Sequence, residues 1–162
     1  MPAVETRVGQ YLTFLLGGEV FAAGILSIKE IIEYNQLTTV PMTPEYVRGV
    51  MNLRGAVVPV LDLQVRFGKP SSPVTKRTCI IIIEVEAGGV RHDFGVVVDT
   101  VNAVLDIPDT EIEPPPTFGT HIRTEFIRGM GKVNGRFVIV LDVNRLLAGA
   151  EMLALAEATE AA

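Results

Sequence analysis

"NLRGAVVPVLDL" (residues 52–63) and "KVNGRFVIVLDV" (residues 132–143) decide how this chain folds. Each holds two β-like runs about a two-residue break, Arg54-Gly55 in the first copy and Asn134-Gly135 in the second. A two-residue hairpin loop needs positive φ at both central positions, which Asn-Gly adopts readily. Arginine tolerates positive φ less well than asparagine or glycine, so the first turn gives up some stability. A residue that departs from the local optimum without structural gain marks a candidate functional position.

The likeness extends outward from the turns. "YVRGVMNLRGAVVPVLDLQVRF" (46–67) lies over "FIRGMGKVNGRFVIVLDVNRLL" (126–147), pairing Arg48 with Arg128, Gly49 with Gly129, Gly55 with Gly135 and Asp62 with Asp142. Upstream, "FAAGILSIKEII" matches "FGVVVDTVNAVL", with Phe21 on Phe94, Ile25 on Val98 and Ile28 on Val101. Two matches in the same order argue for an internal duplication. Each unit offers about five short strands, the pattern of a small barrel. A barrel of roughly 60 residues buries only about 60% of its unfolded surface, so two are expected to share an interface. The expectation is an all-β domain over 11–150, with a first barrel over roughly 11–70, a second over roughly 77–147 and a helical tail over 151–162. Pro59, inside the first hairpin, points to an edge or bulge.

Local signals fill in the rest. Residues 11–23 read as a hairpin about Gly17-Gly18, and 78–99 as another about Gly88-Gly89. "ILSIKEIIEY" (25–34) reads as a short helical turn running into a strand. "PMTPEYV" (41–47) suggests one helical turn, capped by Thr43 with Pro44 at its first position. "DLQVRFG" (62–68) reads as a short helix with Asp62 at its start and Gly68 past its end. "VNAVLDI" (101–107) is a strand, "EPPPTFG" (113–119) a stiff loop, and residues from 142 onward a helix.

Composition bounds the function. Of 162 residues, 48% are hydrophobic and 20% charged, which fits a folded globular chain with a Val/Ile/Leu core. The net charge of −5 and the 6% aromatic content argue against a nucleic-acid binder, which needs a basic face and stacking rings. The single cysteine, Cys79, excludes an intrachain disulfide and suits a reducing compartment. Its flank, "TCIIIIEV", reads as a buried strand and an inert thiol. The start has no basic and apolar leader pattern, and no apolar run approaches the roughly 18 residues of a membrane span, so a cytoplasmic chain with no membrane insertion is expected.

The sequence offers little reactive chemistry. His92 and His121 are the only histidines; both read as exposed loop residues, and neither has a second ligand at metal spacing. Asp62 and Asp142 each precede a short helix, where capping explains them. No nucleophile motif or phosphate-cradling glycine loop is present, so catalysis, metal and cofactor are not expected. Two surface positions stand out: Arg54, and Glu30, an acid among Ile28, Ile31 and Ile32 whose counterpart is Ala103. Taken alone, both also read as ordinary solvated side chains.

The quoted stretches from Tyr11 to Leu147 resemble the CheW family of chemotaxis coupling proteins, most specifically in Asn-Leu-Arg-Gly followed by Val-Pro-Val-Leu-Asp-Leu. The resemblance implies two five-stranded barrels related to SH3 and OB folds, with strands exchanged so that no single cut separates them. With no kinase, phosphotransfer or receiver segment attached, the chain resembles the stand-alone adaptor. It implies a non-catalytic cytoplasmic adaptor at receptor arrays that links the cytoplasmic tip of a chemoreceptor to the regulatory domain of the histidine kinase CheA. Receptor-facing residues carried across are Ile28, Glu30, Asn52, Leu53, Arg54 and Val98, lining a groove between the barrels where Glu30 and Arg54 face each other. Kinase-facing residues are Leu37 and Val40, with Phe118 at a ring-closing contact. Thr117 stands where the family often has an acid, and Glu113 where a base is common.

Three alternatives accompany this reading: a coupling protein of a non-flagellar pathway governing surface motility or gene expression, a small barrel that binds nucleic acid, and an enzyme using Cys79 or a histidine.

Overall fold

In a computed structural model, which describes residues 9–114 and 124–147, eleven strands form two sheets. They are β1 (Gln10–Leu16), β2 (Glu19–Gly24), β3 (Ile28–Glu33), β4 (Val47–Leu53), β5 (Ala56–Leu61), β6 (Cys79–Ala87), β7 (Val90–Val98), β8 (Thr100–Asp106), β9 (Ile112–Glu113), β10 (Ile127–Val133) and β11 (Arg136–Leu141). One sheet runs β3-β6-β7-β5-β4 and the other β8-β1-β2-β11-β10-β9. The fold is all-β, as expected. One sheet has six strands rather than five, because Ile112–Glu113 pairs with Met130 and Gly131. Its counterpart in the first half is the single bridge between Thr38 and Val50.

The two sheets are built alike, but each draws on both halves of the chain. The hairpin β1–β2 stands among β8, β10 and β11, and β6–β7 stands among β3, β4 and β5. Hydrogen bonding therefore does not follow a cut near residues 70–77; the halves have exchanged hairpins. The registers agree closely. Val60 lies beside Gly95 in parallel, and Val140 beside Ala22, which are corresponding pairs.

This exchange explains the uninterrupted run Ile80–Ile83. Alternate strand residues face opposite sides of a sheet, and here both sides are buried. Ile81 and Ile83 join Phe14, Phe21, Phe94, Leu141 and Leu146 in a large core shared by the sheets. Ile80 and Ile82 face a smaller core with Val60 and Val97. The six-stranded sheet has its own small core of Tyr11, Ala22, Ile107, Val138 and Val140. On the axis between the halves, the Arg66 guanidinium lies 5.4 Å from the ring centroids of both Tyr46 and Phe126, which are counterparts.

Local expectations fare unevenly. Ile25–Ser27 is a 3-10 turn that runs into β3. Asp62 caps the helix Leu63–Arg66 by accepting from Val65 N–H, and Asp142 accepts from Arg145 N–H at 3.0 Å. No helix forms after Pro44. Val47 N–H donates to Pro44 O in a lone turn, and the Thr43 hydroxyl donates to Val40 O instead of capping. Three residues on, β4 claims the backbone. The helix following Asp142 is described over Val143–Leu147, and the tail 151–162 lies outside the described residues.

Candidate functional site

The hairpin turns are conformational twins. Leu53 faces Ala56 across one and Val133 faces Arg136 across the other. Arg54 has φ 51° and Gly55 88°; Asn134 has 50° and Gly135 78°. The arginine thus occupies the left-handed conformation that asparagine favours. Asn52 Oδ1 accepts a hydrogen bond from Gly55 N–H at 3.0 Å, which supports the strained turn. Its counterpart is Lys132, which has no side-chain acceptor to offer. Asparagine is used in both hairpins, but in the first it stands beside the turn and leaves the tip to arginine.

That arginine reaches Glu30. Between Ile28 and Glu30 the pairing of β3 with β6 slips by one residue, leaving Lys29 as an extra residue. The slip sends Ile28 toward the shared core and Glu30 to the opposite face, beside Ile32 at the small core. Arg54 Nη2 donates to Glu30 Oε1 at 2.9 Å, and Nη1 donates to Oε2, making a two-pronged pair. The hydrogen bond from Arg54 holds the Glu30 carboxyl below its ordinary pKa, with Lys29 adding to the effect, and Glu30 raises that of Arg54. The pair connects β3 to the turn after β4, the two edges of the five-stranded sheet. The Arg54 side chain is 73% exposed and that of Glu30 25%, so the pair adds little to stability while presenting a fixed guanidinium at the surface.

The remaining expected site residues separate. Leu53 is half-buried against the small core, and Ile28 half-buried against the shared one. Val98 is 0% exposed inside the shared core, so it lines no open groove. Leu37 packs on the small core, and Val40 is half-buried in the segment leading to β4. Phe118 and His121 lie outside the described residues. The expected groove between the barrels also needs correction. Glu30 and Arg54 both belong to the five-stranded sheet, as does the cavity of about 460 Å³ beginning at Gly55. Ala56, Val57, Val58 and Pro59 form one wall of it, and Lys29, Glu84, Arg91 and Asp93 the other.

His92 is not the exposed loop residue expected. The Gly88-Gly89 turn is tight, the strand resumes at Val90, and alternation puts His92 opposite Val85, where it is 6% exposed. Its Nδ1 is buried with no hydrogen-bond partner among the described residues. Cys79 Sγ donates to Arg77 O, and burial pushes the thiol pKa up, away from nucleophilic character.

With this geometry in view, the family model for the CheW-like domain matches residues 10–151. The chain belongs to the CheW family. It is 36% identical over 150 residues to "Chemotaxis protein CheW" of Klebsiella aerogenes, covering 93% of this chain and 88% of that one. It is also 32% identical over 134 residues to "Protein FrzA" of Myxococcus xanthus, covering 80% and 79%. The crystal structure of the scaffolding protein TtCheW from Thermoanaerobacter tengcongensis superposes with a TM-score of 0.77 at 33% identity, covering 88% of this chain and 90% of that one. Within the described residues of this CheW-family chain, no helix is long and apolar enough to cross a membrane.

Proposed function

We propose that this chain is a non-catalytic, cytoplasmic adaptor that couples chemoreceptor signalling tips to the regulatory domain of the kinase CheA, with the Glu30–Arg54 pair at the receptor-docking surface. The observation that carries the reading is Arg54 itself. It holds positive φ where its counterpart is asparagine, and its guanidinium ends at the surface, fixed by Glu30. Structural need does not explain that choice, because the second hairpin makes the same turn without it. Membership of the CheW family and the scaffolding role of TtCheW agree with this reading.

A helical partner would gain burial on the neighbouring apolar side chains and register from the pair at the rim. The kinase-facing surface is proposed at Leu37 and Val40, with Phe118 at a second contact. Ile28, Asn52 and Leu53 contribute to the receptor surface at its margin, and Val98 acts from beneath by packing. The same adaptor chemistry serves flagellar chemotaxis or another chemosensory array.

The test is co-purification of the full chain with a receptor-tip fragment and the kinase regulatory domain from the same cell. A ternary complex is expected, and Arg54→Ala should remove the receptor fragment while retaining the kinase domain. Failure to retain either partner would refute the coupling role.

A further inference from the structure

The charges around the docking pair occur in the five-stranded sheet only. Lys29, Glu30, Arg54, Glu84 and Asp93 have Asn102, Ala103, Asn134, Leu15 and Val20 as register-matched counterparts. The backbone is shared even to the strand slip: Asn102 is left over between Val101 and Ala103 as Lys29 is between Ile28 and Glu30. The second bulge is closed by Thr13, whose hydroxyl donates to Ala103 O at 3.0 Å and accepts from Ala103 N–H at 3.2 Å. In the five-stranded sheet Ile82 stands in place of that threonine and has no hydroxyl. There, Lys29 Nζ reaches Asp93 Oδ2 at 2.9 Å and Glu84 Oε2 at 3.5 Å. The fold is therefore made once without this cluster and once with it.

On the reading of Glu30–Arg54 as a partner-docking pair, we propose that Lys29 is its positioning residue. It fastens the bulged edge strand to the β6–β7 hairpin through Asp93 and Glu84. This fixes where Glu30 meets Arg54 and makes the adjoining groove part of the same surface. Two features besides the contacts support this role. Lys29 lines the groove that begins at Gly55, directly after Arg54, and its charge helps to keep Glu30 ionised. Arg91, 3.8 Å from both Glu84 and Glu86, extends the alternation of charge along that wall.

The experiment uses the full chain with Lys29→Met and Lys29→Arg. The Glu30 carboxyl is titrated by NMR in the free protein, and affinity is measured for a soluble receptor-tip fragment. Lys29→Met should raise the Glu30 midpoint and weaken binding about three- to tenfold, with the unfolding midpoint unchanged. Lys29→Arg should stay near wild type in both. A wild-type Glu30 titration or wild-type affinity in Lys29→Met, or an equal loss in Lys29→Arg, would overturn the proposal. Normal binding by Arg54→Ala would instead refute the docking reading, while the Glu30 titration, which needs no partner, would still decide whether Lys29 positions the pair.

Discussion

The hairpins at 47–61 and 127–141 share one backbone path and carry different tips. Both pass through a crowded glycine, turn through two residues at positive φ and end at an aspartate cap. At the tip, the second has Asn134; the first has Arg54 gripping Glu30, with Asn52 supporting the turn from the side. Below the tip, Arg48 pairs with Asp62 at 2.9 Å and donates to the Tyr34 hydroxyl, whereas Arg128 lies 3.7 Å from the exposed Asp109. One half is thus an internal control for the other. What recurs belongs to the fold, and the Glu30–Arg54 pair occurs once.

The recurring features should be the costliest to break. A Cβ on Gly49 would meet Thr38 O at 2.6 Å, and one on Gly129 would meet Glu113 O at 2.6 Å. Both contacts are backbone, so neither neighbour can swing aside. Gly49→Val and Gly129→Val should each lose about 3 kcal/mol in denaturant unfolding. A large loss in only one would break the equivalence. Arg66, stacked between counterpart rings, ties the halves together; Arg66→Ala should cost about 1–2 kcal/mol.

Smaller effects sharpen the contrast. Asn52→Ala should cost about 0.5–1 kcal/mol by removing the acceptor for Gly55 N–H, while Lys132→Ala should be neutral. Acidification acts on the Glu30–Arg54 pair. Because Arg54 lowers the folded pKa of Glu30, the pair's contribution is present above the ordinary glutamate value, near pH 4, and fades as pH falls below it. Receptor-fragment affinity should decline over that window in wild type and not in Glu30→Gln, which starts weaker. Least of all, Ala103→Glu combined with Asn134→Arg should leave the circular dichroism spectrum unchanged, since the second backbone already matches the first.

Much of this was legible in the chain. The duplication, both turns and the caps at Asp62 and Asp142 follow from spacing and side-chain chemistry; the opposition of Glu30 to Arg54 came with the family resemblance. Hairpin exchange followed only from family resemblance. Periodicity tells which residues share a face, but not which half of a duplicated chain supplies the neighbouring strand. The same ignorance hid the burial of Val98 and His92: alternation places each on a face, and only the packed second sheet covers that face. The one helical turn expected after Pro44 is reduced to a lone hydrogen-bonded turn because β4 begins at Val47, and Thr43 bonds back to Val40 O instead of capping it. The slip at Lys29 left no mark in the sequence, yet it aims Glu30 at Arg54.

The account rests on Arg54 being kept for docking at some expense to the turn. Arg54→Asn, which makes the first tip like the second, tests this with two readings on one sample. The account predicts an unfolding midpoint equal to or above wild type, together with receptor-fragment affinity at least about tenfold weaker. A lower midpoint with affinity unchanged would contradict it.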